Sequence, residues 1–129
     1  MLAEKDYCDY DTCVALKELG YVGICDAYYD LTGSDSYNRD SFELSYTRDF
    51  IHPDNKDRVA APLLYQAQKW LREDKKLHID CGYNPSLSWY YYHVWKGQEE
   101  IAEGEAFPTY EDALNTAIYM ATEILKEEK

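Results

Sequence analysis

The spacing of apolar positions changes along this chain, and each change marks an element. From about Asp11 to Leu19, the residues Val14, Ala15, Leu16 and Leu19 form a one-sided stripe, with Lys17 and Glu18 on the other side. The spacing predicts a short helix, with Asp11 or Thr12 as its N-cap and Gly20 as the left-handed residue that ends it. Val22 to Tyr29 and Phe42 to Tyr46 have strand-like content, and the run from Asp30 through Gly33 to Ser36 between them is rich in turn formers. Two strands joined by a polar loop are expected here. From Thr47 to Arg58 the chain is charged, with Pro53, Asp54 and Asn55 as breakers, and reads as a surface loop.

The second half is more regular. Leu63, Leu64, Ala67, Trp70 and Leu71 recur at helical steps, opposite Gln66, Gln68, Lys69, Arg72 and Glu73. Pro62 suits the first turn of such a helix, where its missing N–H is not needed. The helix should stop near Asp74 and Lys75. The period then becomes two, because apolar and polar residues alternate from Leu77 to Tyr83. Asn84-Pro85-Ser86 is turn chemistry, and Leu87 to Lys96 carries rings on both faces of a second strand. Alternation points Leu87, Trp89, Tyr91, His93 and Trp95 one way and Tyr90, Tyr92 and Val94 the other. Gly97-Gln98 reads as another turn, with a short third strand around Ile101. Thr109 and Asp112 form a variant capping box. Behind it Tyr110, Ala113, Leu114, Ala117, Ile118, Ala121 and Leu125 mark one face of a final helix, widened by Met120 and Ile124.

The expected class is α+β, in the order α-β-β-α-β-β-(β)-α. An antiparallel or mixed sheet should carry its helices on one face. No repeat or linker divides the 129 residues, so one domain is expected over 1–129.

Composition adds two constraints. Tyrosine is abundant, with 14 copies, and its apolar ring with a polar tip suits half-buried sheet faces and interfaces. The 25 acidic and 13 basic side chains give a net charge of −12. That charge disfavours nucleic acid and anionic membranes, which need a cationic surface, and favours basic partners. The first residues lack the apolar core of a signal peptide, and no segment approaches a membrane span, so a cytoplasmic protein with reduced thiols is expected. Cys8, Cys13, Cys25 and Cys81 contain no C-x-x-C pair. Cys81 reads as core, while Cys8 and Cys13 read as partly exposed.

Candidate chemistry is sparse. The aromatic strand offers Trp89, Tyr90, Tyr91, Tyr92 and Trp95 as a surface for a protein partner or a second copy of the chain. His78 and Asp80 share a strand face, and His93 on the next strand makes a metal site or proton-transfer group conceivable, though the spacing is unspecific. Asp30, Asp35 and Asp40 lack the ligand order of a calcium loop and read as a solvated loop, and His52-Pro53-Asp54 reads as a turn. No nucleophile elbow, phosphate loop or dinucleotide fingerprint occurs, and no cofactor or catalytic residue is expected.

Two runs, Tyr10 to Tyr21 and Ala61 to Glu73, resemble small uncharacterised proteins of Bacteroidetes genomes and their phages. Those proteins also carry, in this order, counterparts of Leu77–Cys81, Trp89–Tyr90 and the helix start Phe107–Leu114. The similarity covers most of the chain outside Gly33 to Arg58, and the stretch Gln68 to Glu73 is its most specific part. It implies a phage or mobile-element accessory protein and brings no activity with it. The leading expectation is therefore a non-enzymatic protein-interaction module. Behind it stand an acidic decoy that mimics nucleic acid towards a host DNA-binding protein, and then a small enzyme or metal site around His78, Asp80 and His93.

Overall fold

A computed structural model describes residues 4–21, 27–30, 44–46 and 58–128. Its contacts gather in two compact units, Met1–Leu63 and Leu64–Lys129. The start of the expected first strand at Val22, with Cys25, lies outside the described residues. So do the loop with Asp35 and Asp40, and the expected loop through His52, Pro53 and Asp54.

In the first unit, helix α1 (Tyr10–Glu18) packs on a three-stranded antiparallel sheet of order β2-β1-β3, formed by β1 (Ala27–Asp30), β2 (Leu44–Tyr46) and β3 (Arg58–Ala60). The N-cap is Asp9 rather than Asp11 or Thr12, and its carboxylate accepts from the Thr12 backbone N–H at 2.9 Å. Starting the helix earlier brings Tyr10 edge-on to Tyr29, with ring centroids 5.6 Å apart. Gly20 ends the helix as expected. Its φ of +89° lets Tyr21 N–H reach Leu16 O and Gly20 N–H reach Lys17 O, each at 3.0 Å, which satisfies the last carbonyls. Strand β3 begins where a loop was expected to end. Three residues, Arg58, Val59 and Ala60, are too few to show a period, and only pairing with β1 makes them a strand.

The second unit is a meander. Strands β4 (Leu77–Asn84), β5 (Trp89–Lys96) and β6 (Glu99–Phe107) pair antiparallel in sequence order. Asn84 Oδ1 accepts from the backbone of Ser86 and Leu87 (3.0 and 3.3 Å), closing the first turn, and Gly97 at φ +64° makes the second. Helix α3 (Tyr110–Glu127) lies across all three strands, and helix α2 (Leu64–Asp74) packs on β4 and α3. Thr109 caps α3 by accepting from Asp112 N–H at 3.0 Å. Ala113, Ala117 and Ala121 are fully buried beside Ile118, so the small residues let α3 approach the sheet closely. Gln68 of α2 donates to Ile79 O at 3.0 Å, which ties the helix to the outer strand β4.

The α+β class is as expected, the expected elements follow one another in the expected order with β3 added between β2 and α2, and every described strand pairing is antiparallel. The strands divide between two sheets, one in each unit. No described helix is long and apolar enough to cross a membrane.

Candidate functional site

One face of the β4-β5-β6 sheet is core. Leu77, Ile79, Tyr92 and Val94 are buried on it, and the β4–β5 register sets Ile79 opposite Val94 and Cys81 opposite Tyr92. Side chains alternate, so the other face carries His78, Asp80 and Asn84 of β4 and Trp89, Tyr91, His93 and Trp95 of β5. Trp89, Tyr91, His93 and Trp95 are half-buried and not sealed. Among them the rings of Tyr91, His93 and Trp95 form a ladder, with centroids 5.3 and 6.2 Å apart along the strand. Gly82 stands opposite Tyr91, and its missing side chain leaves the space that this ring occupies over β4.

The expected aromatic surface is thus divided. Trp89, Tyr91 and Trp95 belong to the open face. Tyr90 and Tyr92 point to the helices, and Tyr92, at 4% exposure, is a core residue that leaves the candidate surface. Its ring fills the space over Gly104 and lies 5.7 Å from that of Phe107. Tyr90 instead joins Tyr83 (4.9 Å) and Tyr110 (6.3 Å) at the edge of the helix side.

Strand β6 gives the open face its charge. Its register slips twice against β5, between Val94 and Trp95 and between Tyr90 and Tyr92. The first slip inserts Ile101 as a bulge, so Glu100 lies opposite Trp95 and Glu103 opposite His93. In a regular strand two glutamates three apart would face opposite ways, and the bulge puts both on the open face. The second slip accommodates Ala106 at φ +71°. Between Asn84, Trp89, Tyr91, His93, Glu103 and Glu105 the surface dips into a groove of about 420 Å³.

His78, Asp80 and His93 do share this face, with Asp80 directly across from His93 and His78 across from Trp95. The imidazole is nevertheless turned to the other neighbour strand. Nδ1 of His93 pairs with Glu100 and lies 4.0 Å from Glu103. Neither glutamate was singled out from the sequence, because no periodicity foretells a bulge. Donor atoms of His93, Glu100 and Glu103 lie within 4.8 Å of one another, which is the donor chemistry of a divalent cation. Both glutamates are exposed, Glu103 at 73% of its side chain, so the trio is an open acidic cluster held by one imidazole.

Among the described residues the thiols offer no nucleophile. Cys8 and Cys13 are buried (0% and 1% exposed), not partly exposed as expected, and Cys13 Sγ donates to Cys8 O at 3.4 Å. Both sit where α1 meets its sheet, and Tyr29 Oη also donates to Cys8 O. Burial, and then the neighbouring Asp80 carboxylate, push the Cys81 thiol up to about 12, so it stays protonated and unreactive near neutrality.

No protein-family model matches this chain, and no curated protein or solved structure is significantly similar to it.

Proposed function

We propose that the protein is a non-enzymatic interaction module that binds a protein partner through the open face of the β4-β5-β6 sheet. The observation that carries this reading is the arrangement of β5, where Trp89, Tyr91, His93 and Trp95 remain half-buried on the side away from the helices. A core needs only the Tyr92 and Val94 side. Tryptophan and tyrosine bury much area for little lost side-chain freedom, and they dominate the energetics of protein interfaces. A solvated sheet face with no partner would more economically carry threonine, lysine and glutamate.

The carboxylates of this face would also serve a nucleic-acid-mimicking decoy. The rings interleaved among them favour the protein-partner reading, since a phosphate mimic gains nothing from indoles. A phage or mobile-element accessory role, as the sequence resemblance implies, would accord with a module that engages another protein.

Site-specific photocrosslinking tests the reading. A benzophenone side chain placed at Tyr91 should trap a protein in the native host, whereas the same group at Tyr65, which is 61% exposed on α2, should not. Equal capture from both positions, or none from Tyr91, would remove the open face as the interface.

A further inference from the structure

We infer that the partner presents an extended, lysine-bearing segment to the open face, with one ammonium group seated in the groove between Trp89, Tyr91, Glu103 and Glu105. This rests on the open face being the interface and adds the chemistry of what binds there.

The first support is charge. Asp80, Glu100, Glu103 and Glu105 accompany the rings on this face, and among the described residues the strands contribute no lysine or arginine to it. Lys96 lies on the helix side, where its ammonium pairs with Glu128 at 3.0 Å. Among the described residues its basic groups are the imidazoles of His78 and His93, two against four carboxylates, and His93 already leans on Glu100. The face therefore has an unbalanced negative field, on a chain whose net charge is −12. A second copy of the protein fits badly, because a twofold contact through this face would set carboxylates against carboxylates.

The second support is the chemistry of the groove. Ring faces beside carboxylates, with the Asn84 amide at one end, suit an alkyl-ammonium group. Its methylenes lie against the rings, its charge is attracted by their π faces, and its N–H groups reach the carboxylates. A neutral or acidic side chain would leave Glu103 and Glu105 desolvated without a counter-charge.

The third support is spacing. Tyr91, His93 and Trp95 project from alternate residues, about 7 Å apart, which is also the spacing of alternate side chains in an extended peptide. The eight residues of β5 span about 27 Å, so a segment of about eight to ten residues would cover the ladder.

The test uses the full chain with an acetylated peptide of about ten residues, lysine alternating with serine, and a counterpart with glutamine for lysine. Binding is read from the indole N–H resonances. Trp89 and Trp95 report the open face, and Trp70 on α2 serves as an internal control. The lysine peptide should shift Trp89 and Trp95, leave Trp70 in place, and weaken steeply with salt. Glu103→Gln with Glu105→Gln should weaken it at least tenfold. Glu73→Gln with Glu127→Gln, on exposed positions of the two helices and with the same change in net charge, should weaken it less than twofold. Equal binding of the glutamine peptide, or equal losses from the two double variants, overturns the proposal. A partner captured at Tyr91 whose binding ignores both salt and the Glu103/Glu105 pair also overturns it, while leaving the interaction module intact. Failure of capture at Tyr91 instead removes the module reading itself.

Discussion

The two faces of the β4-β5-β6 sheet are made from the same strands, yet they answer to different requirements. On the helix side Val94 is fully buried and Tyr92 nearly so, under α3 with its row of alanines. One residue along in each case, His93 and Trp95 keep part of their rings in water. Both faces are aromatic, so ring content alone does not separate core from contact surface. Their charges do. The helix side resolves its lysine and glutamate into a pair between Lys96 and Glu128, whereas on the open side Glu100 and Glu103 gather around the imidazole of His93. Carboxylates gathered beside half-exposed rings are the feature on which the proposal of a protein partner for this face rests.

This contrast can be broken most forcefully from the core. Ile118→Ala, at a fully buried position of α3, should cost about 2–5 kcal/mol in urea unfolding. Trp95→Ala on the open face should cost about 1 kcal/mol or less, since its ring is only half-buried. Comparable losses from the two would mean that the open face is a second core.

The next largest effect comes from the two strand glycines, each lying beneath a tyrosine ring. A methyl group at Gly104 would collide with the ring of Tyr92, which is buried and has nowhere to go. At Gly82 the collision is with Tyr91, whose ring can swing towards solvent. Gly104→Ala should therefore destabilise by about 1–3 kcal/mol and Gly82→Ala by less than about 1 kcal/mol, as read from thermal melting. The reverse order would show that Tyr91, not Tyr92, is the fixed ring.

Cys81 sharpens the comparison through pH. Its raised folded-state pKa means that the native thiol keeps its proton while the unfolded thiol loses it. Its contribution to stability is complete below about 9 and is lost as pH climbs from about 9 to about 12. Tyr92 and Tyr110 are raised chiefly by burial, and next by the nearby Cys81, and so add to the same alkaline decline. Alkylation of Cys81 at pH 8 should run at least about a hundredfold slower in the folded protein than in urea. A fast reaction would mean that the helix side opens.

The smallest effect is expected from the acidic rim. Glu103→Gln with Glu105→Gln should change stability by less than about 0.5 kcal/mol, because exposed carboxylates crowded together support no fold. A loss above about 1 kcal/mol in urea unfolding would make them structural rather than available for a ligand.

Much of the second unit was legible from pattern alone. The two-residue period from Leu77 to Tyr83 and the helical stripe from Ala113 to Ala121 name their own faces, and Thr109 announces the start of α3. The first unit was less legible, because β2 and β3 are three residues each and too short to show a period. Of the candidate surface, Trp89, Tyr91 and Trp95 could be placed together by alternation. Tyr92 could not be separated from them until the helices chose a side, and Glu100 and Glu103 could not be added until the bulge at Ile101 was seen.

The sequence by itself determined where the helices and the long strands of the second unit form, which residues share a strand face, and that the surface would be acidic, because period, caps and charge are local properties. Tertiary structure alone decided which aromatic face became core, which glutamates joined the other face, and that the cysteines near the N-terminus would be buried. Those outcomes depend on register, bulges and packing between residues far apart in the chain, where a shift of one residue reverses every side chain.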